Sequence, residues 1–122
     1  MPSVIRTRSF GSAKVFWLDR NEALRRLRRA AERALAEHEE IVAVYLFGSL
    51  AEGRAVPGSD ADVLLLLERS DLRWMDRPLR YGRAFEGVGL PVELFCYTRA
   101  EAERVELARR AIAGGVRLAG RS

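Results

Sequence analysis

Long apolar runs are missing from this 122-residue chain, and a run such as Val63–Leu67 is far too short to cross a bilayer as a helix. The opening Met1–Arg6 has no apolar signal core, so no export signal is expected. Cysteine occurs once, at Cys96, which excludes an intramolecular disulfide and leaves a reducing cytoplasm as the expected compartment. In a strand context Cys96 reads as a small core residue rather than a nucleophile. Histidine also occurs once; His38 has no metal-type neighbours, falls in phase with an apolar helical stripe, and reads as structural. Lysine is equally scarce, Lys14 standing beside 20 arginines. Arginine forks suit phosphates and carboxylates, but a GC-rich genome or life at high temperature gives the same skew. A formal charge of +4 is weak evidence for a nucleic-acid partner.

At this length the chain is expected to form a single domain, 1–122. Val4–Phe10 and Ala13–Leu18 are short runs rich in β-branched and aromatic residues. Gly11-Ser12 between them predicts a tight turn, making 1–18 a β-hairpin. Asp19 and Glu22 have capping-box spacing, and Leu24, Leu27, Ala31 and Leu35 follow at intervals of three and four, predicting a helix over 19–39. The row Arg25, Arg29, Arg33 falls on another face, which reads as solvated. Ile41–Phe47 reads as a buried strand, Asp62–Leu67 as a central strand covered on both faces and Val92–Tyr97 as a further strand, with 41–97 as the sheet core. Within it, Trp74, Met75, Leu79 and Phe85 are spaced as a core-facing helical stripe. Thr98 and Glu101 form a second capping box, opening a C-terminal helix over 98–113 that stops at Gly114-Gly115. The pattern is an α/β (α+β) fold, a mixed sheet packed with helices.

Three features carry chemistry. Gly48-Ser49 ends a buried strand, where glycine lets a ligand approach the backbone and the following amides can meet phosphate oxygens. Asp60 and Asp62, two apart in Ser59-Asp60-Ala61-Asp62, fall on one face of a strand. Two like charges at close range are costly, and a Mg²⁺ ion relieves them. The alternative is an Asp60 that caps a turn and an Asp62 that meets water. Glu93 interrupts an apolar strand and needs a partner, either a metal or, on an edge strand, solvent or an arginine.

Gly48-Ser49, three residues, Gly53, five residues, then Ser59-Asp60-Ala61-Asp62-Val63 resembles the signature of the minimal nucleotidyltransferases of the DNA polymerase β superfamily. Glu93 in Pro91-Val92-Glu93-Leu94 matches the family's third acidic position, with Glu where Asp is usual. Leu50 and Glu52 stand where relatives often carry basic residues. The resemblance implies a polymerase-β-like fold and a Mg²⁺-dependent transfer of a nucleoside monophosphate, AMP from ATP in the leading case, to an acceptor hydroxyl. It gives Asp60, Asp62 and Glu93 the metal-holding and catalytic roles. Gly48, Ser49 and Ser59 then bind the nucleotide, with Arg54 as a further phosphate contact or a solvated loop residue. Only 24 residues follow Thr98, so the acceptor is expected to be a separate macromolecule or the site to be completed by a second subunit. In antitoxin-like relatives the acceptor is a helical HEPN-type partner protein. A non-catalytic antitoxin-like binding module and a homodimeric small-molecule transferase are the rival readings. Trp17, Phe47, Phe95 and Tyr97 read as packing residues, any of which could stack on a base.

Overall fold

The computed structural model describes residues 3–10 and 13–121, with the side chains of 9–10 and 13–17 left aside. β1 (Ile5–Phe10) and β2 (Ala13–Leu18) pair antiparallel, Ile5 opposite Leu18 and Phe10 opposite Ala13. The turn expected at Gly11-Ser12 and the packing expected of Trp17 lie outside the described residues.

α1 (Arg20–Glu37) begins where the Asp19 carboxylate accepts the Glu22 N–H at 3.1 Å. The second half of the expected capping box does not form. The Asp19 N–H already donates to the Val4 carbonyl at 2.8 Å, and the Glu22 carboxylate instead meets Arg25 and Arg26. Ala23, Leu27, Ala30, Ala31 and Ala34 face the core, Leu24 and Leu35 are partly buried, and Arg25, Arg29 and Arg33 are exposed. His38 caps the helix C-terminus and lies edge-on to Tyr81, with ring centres 4.8 Å apart.

β3 (Ile41–Phe47), β4 (Ala61–Leu67), β5 (Val92–Thr98) and β6 (Val116–Gly120) form one mixed sheet in the order β5-β4-β3-β6. β4 runs parallel to β5 and antiparallel to β3, and β6 runs antiparallel to β3. β4 is central, which explains its continuous apolar run: side chains on both of its faces are buried. Val44, Leu46, Val63, Leu65, Leu94 and Cys96 face α1. Leu64 and Leu66, with Tyr45, Phe47 and Tyr97 beside them, face the C-terminal helices.

Two expectations are corrected here. Trp74, Met75 and Leu79 do not face the core; they are 46%, 67% and 86% exposed. A short 3₁₀ turn (Trp74–Asp76) leads into α2 (Arg77–Tyr81) and a second such turn (Gly82–Phe85), whose inward face carries Arg77, Tyr81, Ala84 and Phe85. The C-terminal helix over 98–113 is two helices, α3 (Arg99–Ala102) and α4 (Glu106–Gly114), with the capping box of Thr98 and Glu101 at the first. β6 follows Gly115 and was not anticipated.

Arg77 explains why the inward face carries a charge. Its guanidinium donates to the Leu72 and Cys96 carbonyls at 3.0 and 3.1 Å and forks onto the Glu101 carboxylate. That hydrogen-bonded pairing holds the Glu101 carboxyl at about 2, against an ordinary 4.5. A carboxyl whose folded value is depressed stabilises the fold above its unfolded value, and the stabilisation is lost as the pH falls between the two. Allowing for the partial exposure of Glu101, wild type is expected to lose about 2 kcal/mol more than Glu101→Gln between about pH 5 and about pH 2. Urea midpoints at the two pH values measure this; equal losses in both proteins would show that the pair adds no acid-sensitive stability.

Candidate functional site

β3 ends at Phe47, opposite Asp62 at the start of β4, and the chain turns away at Gly48 with φ +78°. A left-handed residue here is nearly always glycine because a Cβ crowds the backbone. At Gly48 there is a second reason: a Cβ would run into the Asp62 carboxylate. The segment Gly48–Gly53 then makes one helical turn. The Glu52 N–H donates to the Gly48 carbonyl at 3.1 Å and the Arg54 N–H to the Ser49 carbonyl at 2.8 Å. The amides that open such a turn have no partner within it and point outward, which suits an anion. The half-buried Ser49 hydroxyl makes no hydrogen bond among the described residues.

Leu50 is fully buried and anchors this turn in the core. From the other side Arg20, at the start of α1, donates through Nε to the Leu50 carbonyl and through Nη2 to the Ala51 carbonyl, both at 2.9 Å.

Asp62 and Glu93 are direct neighbours across the parallel β4–β5 pair. The main-chain link between the two strands begins one residue earlier, where the Ala61 N–H donates to the Pro91 carbonyl at 2.9 Å. Asp60 precedes β4 and is exposed, Asp62 is half-buried, and Glu93 is exposed on β5, the edge strand of the sheet. Burial, the Glu93 charge and the Asp60 charge, in that order, raise the proton affinity of Asp62. In a chain with 20 arginines, none of these three carboxylates has a cationic or hydrogen-bonding partner among the described residues. They are not closed around a point: among the described residues no three or more His, Cys, Asp or Glu side chains are gathered as a metal cage. Mg²⁺ does not require one, since one or two carboxylates with substrate phosphates and water are its usual set. Hard oxygen donors, mutual repulsion and the missing Cβ at Gly48 fit that ion.

The remaining expected contacts are placed less centrally. The Ser59 hydroxyl accepts the Val56 N–H at 3.0 Å, shaping the loop before Asp60. Arg54 is exposed and pairs with Glu52 at 2.8 Å, so it starts from a surface ion pair. A cleft of about 610 Å³ opens along this turn without including Asp60, Asp62 or Glu93. Phe47, Gly48 and Ala51 line one side of it, and Leu107, Arg110 and Ala111 of α4 line the other. Its size is that of a small-molecule site. Phe47 and Phe95 meet edge to face at 5.3 Å on the sheet face that carries Asp62. Burial pushes the Cys96 thiol up to about 12, which fits a core residue and not a nucleophile.

Sequence reasoning missed Arg20, because a guanidinium bonding carbonyls 30 residues away leaves no local pattern.

The profile of the family described as "Polymerase beta, Nucleotidyltransferase" matches residues 30–122. None of the curated proteins matches the chain. Among solved structures, a candidate nucleotidyltransferase from Sulfolobus solfataricus is 22% identical, with a TM-score of 0.65 and 84% of each chain covered. A second, described as a toxin–antitoxin with AMP-PNP, is 18% identical with a TM-score of 0.53, covering 78% of this chain and 74% of that one. At these identities the likeness is one of fold.

Proposed function

The chain belongs to the polymerase β nucleotidyltransferase family, and we propose that it transfers AMP from ATP to a hydroxyl of a separate partner protein. The observation that carries the reading is the carboxylate group of Asp62, Glu93 and Asp60, unpaired among the described residues, beside a glycine that leaves room for it. Asp60 and Asp62 would hold Mg²⁺, with Glu93 helping. Bound there, the ion neutralises charge on the triphosphate and on the departing pyrophosphate. The turn amides and the Ser49 hydroxyl would donate to the β- and γ-phosphates, with Arg54 reaching them if it leaves Glu52. Glu93 would accept the proton of the attacking hydroxyl while the new O–Pα bond forms and the bond to pyrophosphate breaks. Its exposure on an edge strand leaves it open to a large acceptor.

A toxin–antitoxin pair is the setting we favour, since the fold occurs in a structure of such a pair with a nucleotide analogue. We take the partner to be a helical HEPN-type protein and the compartment to be the cytoplasm. Among the described residues no helix is long and apolar enough to cross a membrane.

Incubating the protein with Mg²⁺ and ATP labelled at the α-phosphate, in lysate from its own source, is expected to label one discrete protein. An Asp60→Ala/Asp62→Ala double variant should leave that band unlabelled. Label that stays on ATP, or moves equally well with the variant, would overturn protein adenylylation by this site.

A further inference from the structure

The Gly48–Gly53 turn is too short to hold its own shape. A single turn closes few hydrogen bonds for the dihedrals it fixes, and Gly53, like Gly48, is left-handed. Something outside the turn must order it. Leu50 supplies one anchor through burial, and the Arg20 guanidinium supplies the other through two carbonyls in succession. Within a trans peptide unit the N–H points opposite to the C=O. Fixing the Leu50 carbonyl on Arg20 therefore aims the Ala51 N–H away from α1, toward the open side of the turn. Fixing the Ala51 carbonyl orients the Glu52 N–H onto the Gly48 carbonyl, which closes the turn and leaves the amides before it facing out. A cation at the carbonyl end also complements the dipole of the turn and adds positive charge behind its amides.

We propose that Arg20 is a positioning residue for the triphosphate: it acts through the Gly48–Gly53 turn, holding and polarising the amides that meet the phosphates, without touching the nucleotide. The inference rests on the nucleotidyl-transfer reading and names the part of the chain that sets its preference for a triphosphate. A fork onto two carbonyls is something lysine cannot reproduce, so Arg20→Lys keeps the charge and loses one bond. Arg20→Met keeps the length and loses both.

The test is calorimetric titration of the whole chain, in Mg²⁺, with the β,γ-imido analogue of ATP and separately with AMP. Wild type is expected to prefer the triphosphate. Arg20→Met should lower that preference roughly tenfold, with Arg20→Lys in between, while AMP affinity stays within about twofold. General loosening weakens both ligands alike, so the ratio isolates the turn. If wild type prefers the triphosphate and both variants keep the full preference, the role of Arg20 is overturned and the site reading stands. If AMP weakens in step with the triphosphate, Arg20 is structural only and the proposal is likewise overturned. If wild type shows no preference at all, the site reading fails and Arg20 falls with it. Should Arg20→Met prove unfolded, the Arg20→Lys ratio decides by the same criteria.

Discussion

Replacing Asp62 by Asn is expected to lower nucleotidyl transfer on the order of 10³-fold or more and, at the same time, to raise the melting temperature of the metal-free protein. Both effects come from one arrangement. Asp62 is half-buried beside the Glu93 and Asp60 charges, with no cation among the described residues to balance them. Ionised at neutral pH, it is less comfortable in the fold than in the unfolded chain, because burial and like charges both disfavour the anion. Asparagine keeps the shape and removes the charge.

Mg²⁺ should reverse the order. An ion that binds the folded state alone stabilises it in proportion to ln(1 + [L]/Kd), so wild type gains and Asp62→Asn gains little. Thermal melts in EDTA and in Mg²⁺, at matched ionic strength to cancel screening, give four numbers that decide the matter. A variant less stable than wild type in EDTA would mean that Asp62 has a structural partner, contrary to the geometry. Equal stabilisation of both proteins by Mg²⁺ would place the ion elsewhere. The same substitution at Asp60 should move the melt less, since that side chain is exposed.

Much of the architecture is legible in the chain because it is set locally. The α1 stripe is read from a period of three to four, and β4 from an uninterrupted apolar run that only a central strand tolerates. The candidate site is partly legible for a related reason: Gly48-Ser49 and Asp60-x-Asp62 are short-range patterns. What brings Glu93 to Asp62 is the register of a parallel pair between residues about 30 apart, and nothing in either segment states it.

The misreadings have the same origin. Trp74, Met75 and Leu79 have helical spacing, yet the inward face belongs to Arg77 and Tyr81, because Arg77 finds two carbonyls and Glu101 waiting there. An arginine that is only 5% exposed is invisible to hydrophobic periodicity. The break between α3 and α4 falls at Glu103-Arg104-Val105, residues without a helix-stopping signal. β6 left a trace in Val116 and Leu118 flanking Arg117 after two glycines, but five residues are too few for the alternation to stand out.

Gly48→Ala is expected to be the most damaging single-methyl change in the loop region, and a double-mutant cycle can show why. Gly48, Gly53 and Gly58 all have positive φ, so alanine is strained at each by about 1 kcal/mol or more. At Gly53 and Gly58 a Cβ would meet nothing within 4 Å, and strain is the whole cost. At Gly48 it would strike the Asp62 carboxylate, so either the turn or the carboxylate must move. The carboxylate end can swing aside, so the expected destabilisation is about 1–2 kcal/mol, against about 1 kcal/mol at Gly53. Transfer should fall on the order of 10²-fold even where the protein remains folded, because both candidate ligand-binding groups shift together. Shortening Asp62 to alanine vacates the space the new methyl needs. In the Asp62→Ala background Gly48→Ala should therefore cost only its backbone strain, leaving a coupling of about 0.5–1 kcal/mol between the two sites. Asp62→Asn, which fills the same volume, should show little coupling. Urea unfolding of the two cycles side by side separates contact from charge. Additivity in the alanine cycle would mean that the turn and the carboxylate are not in contact, and the close approach of Gly48 to Asp62 would no longer account for the glycine.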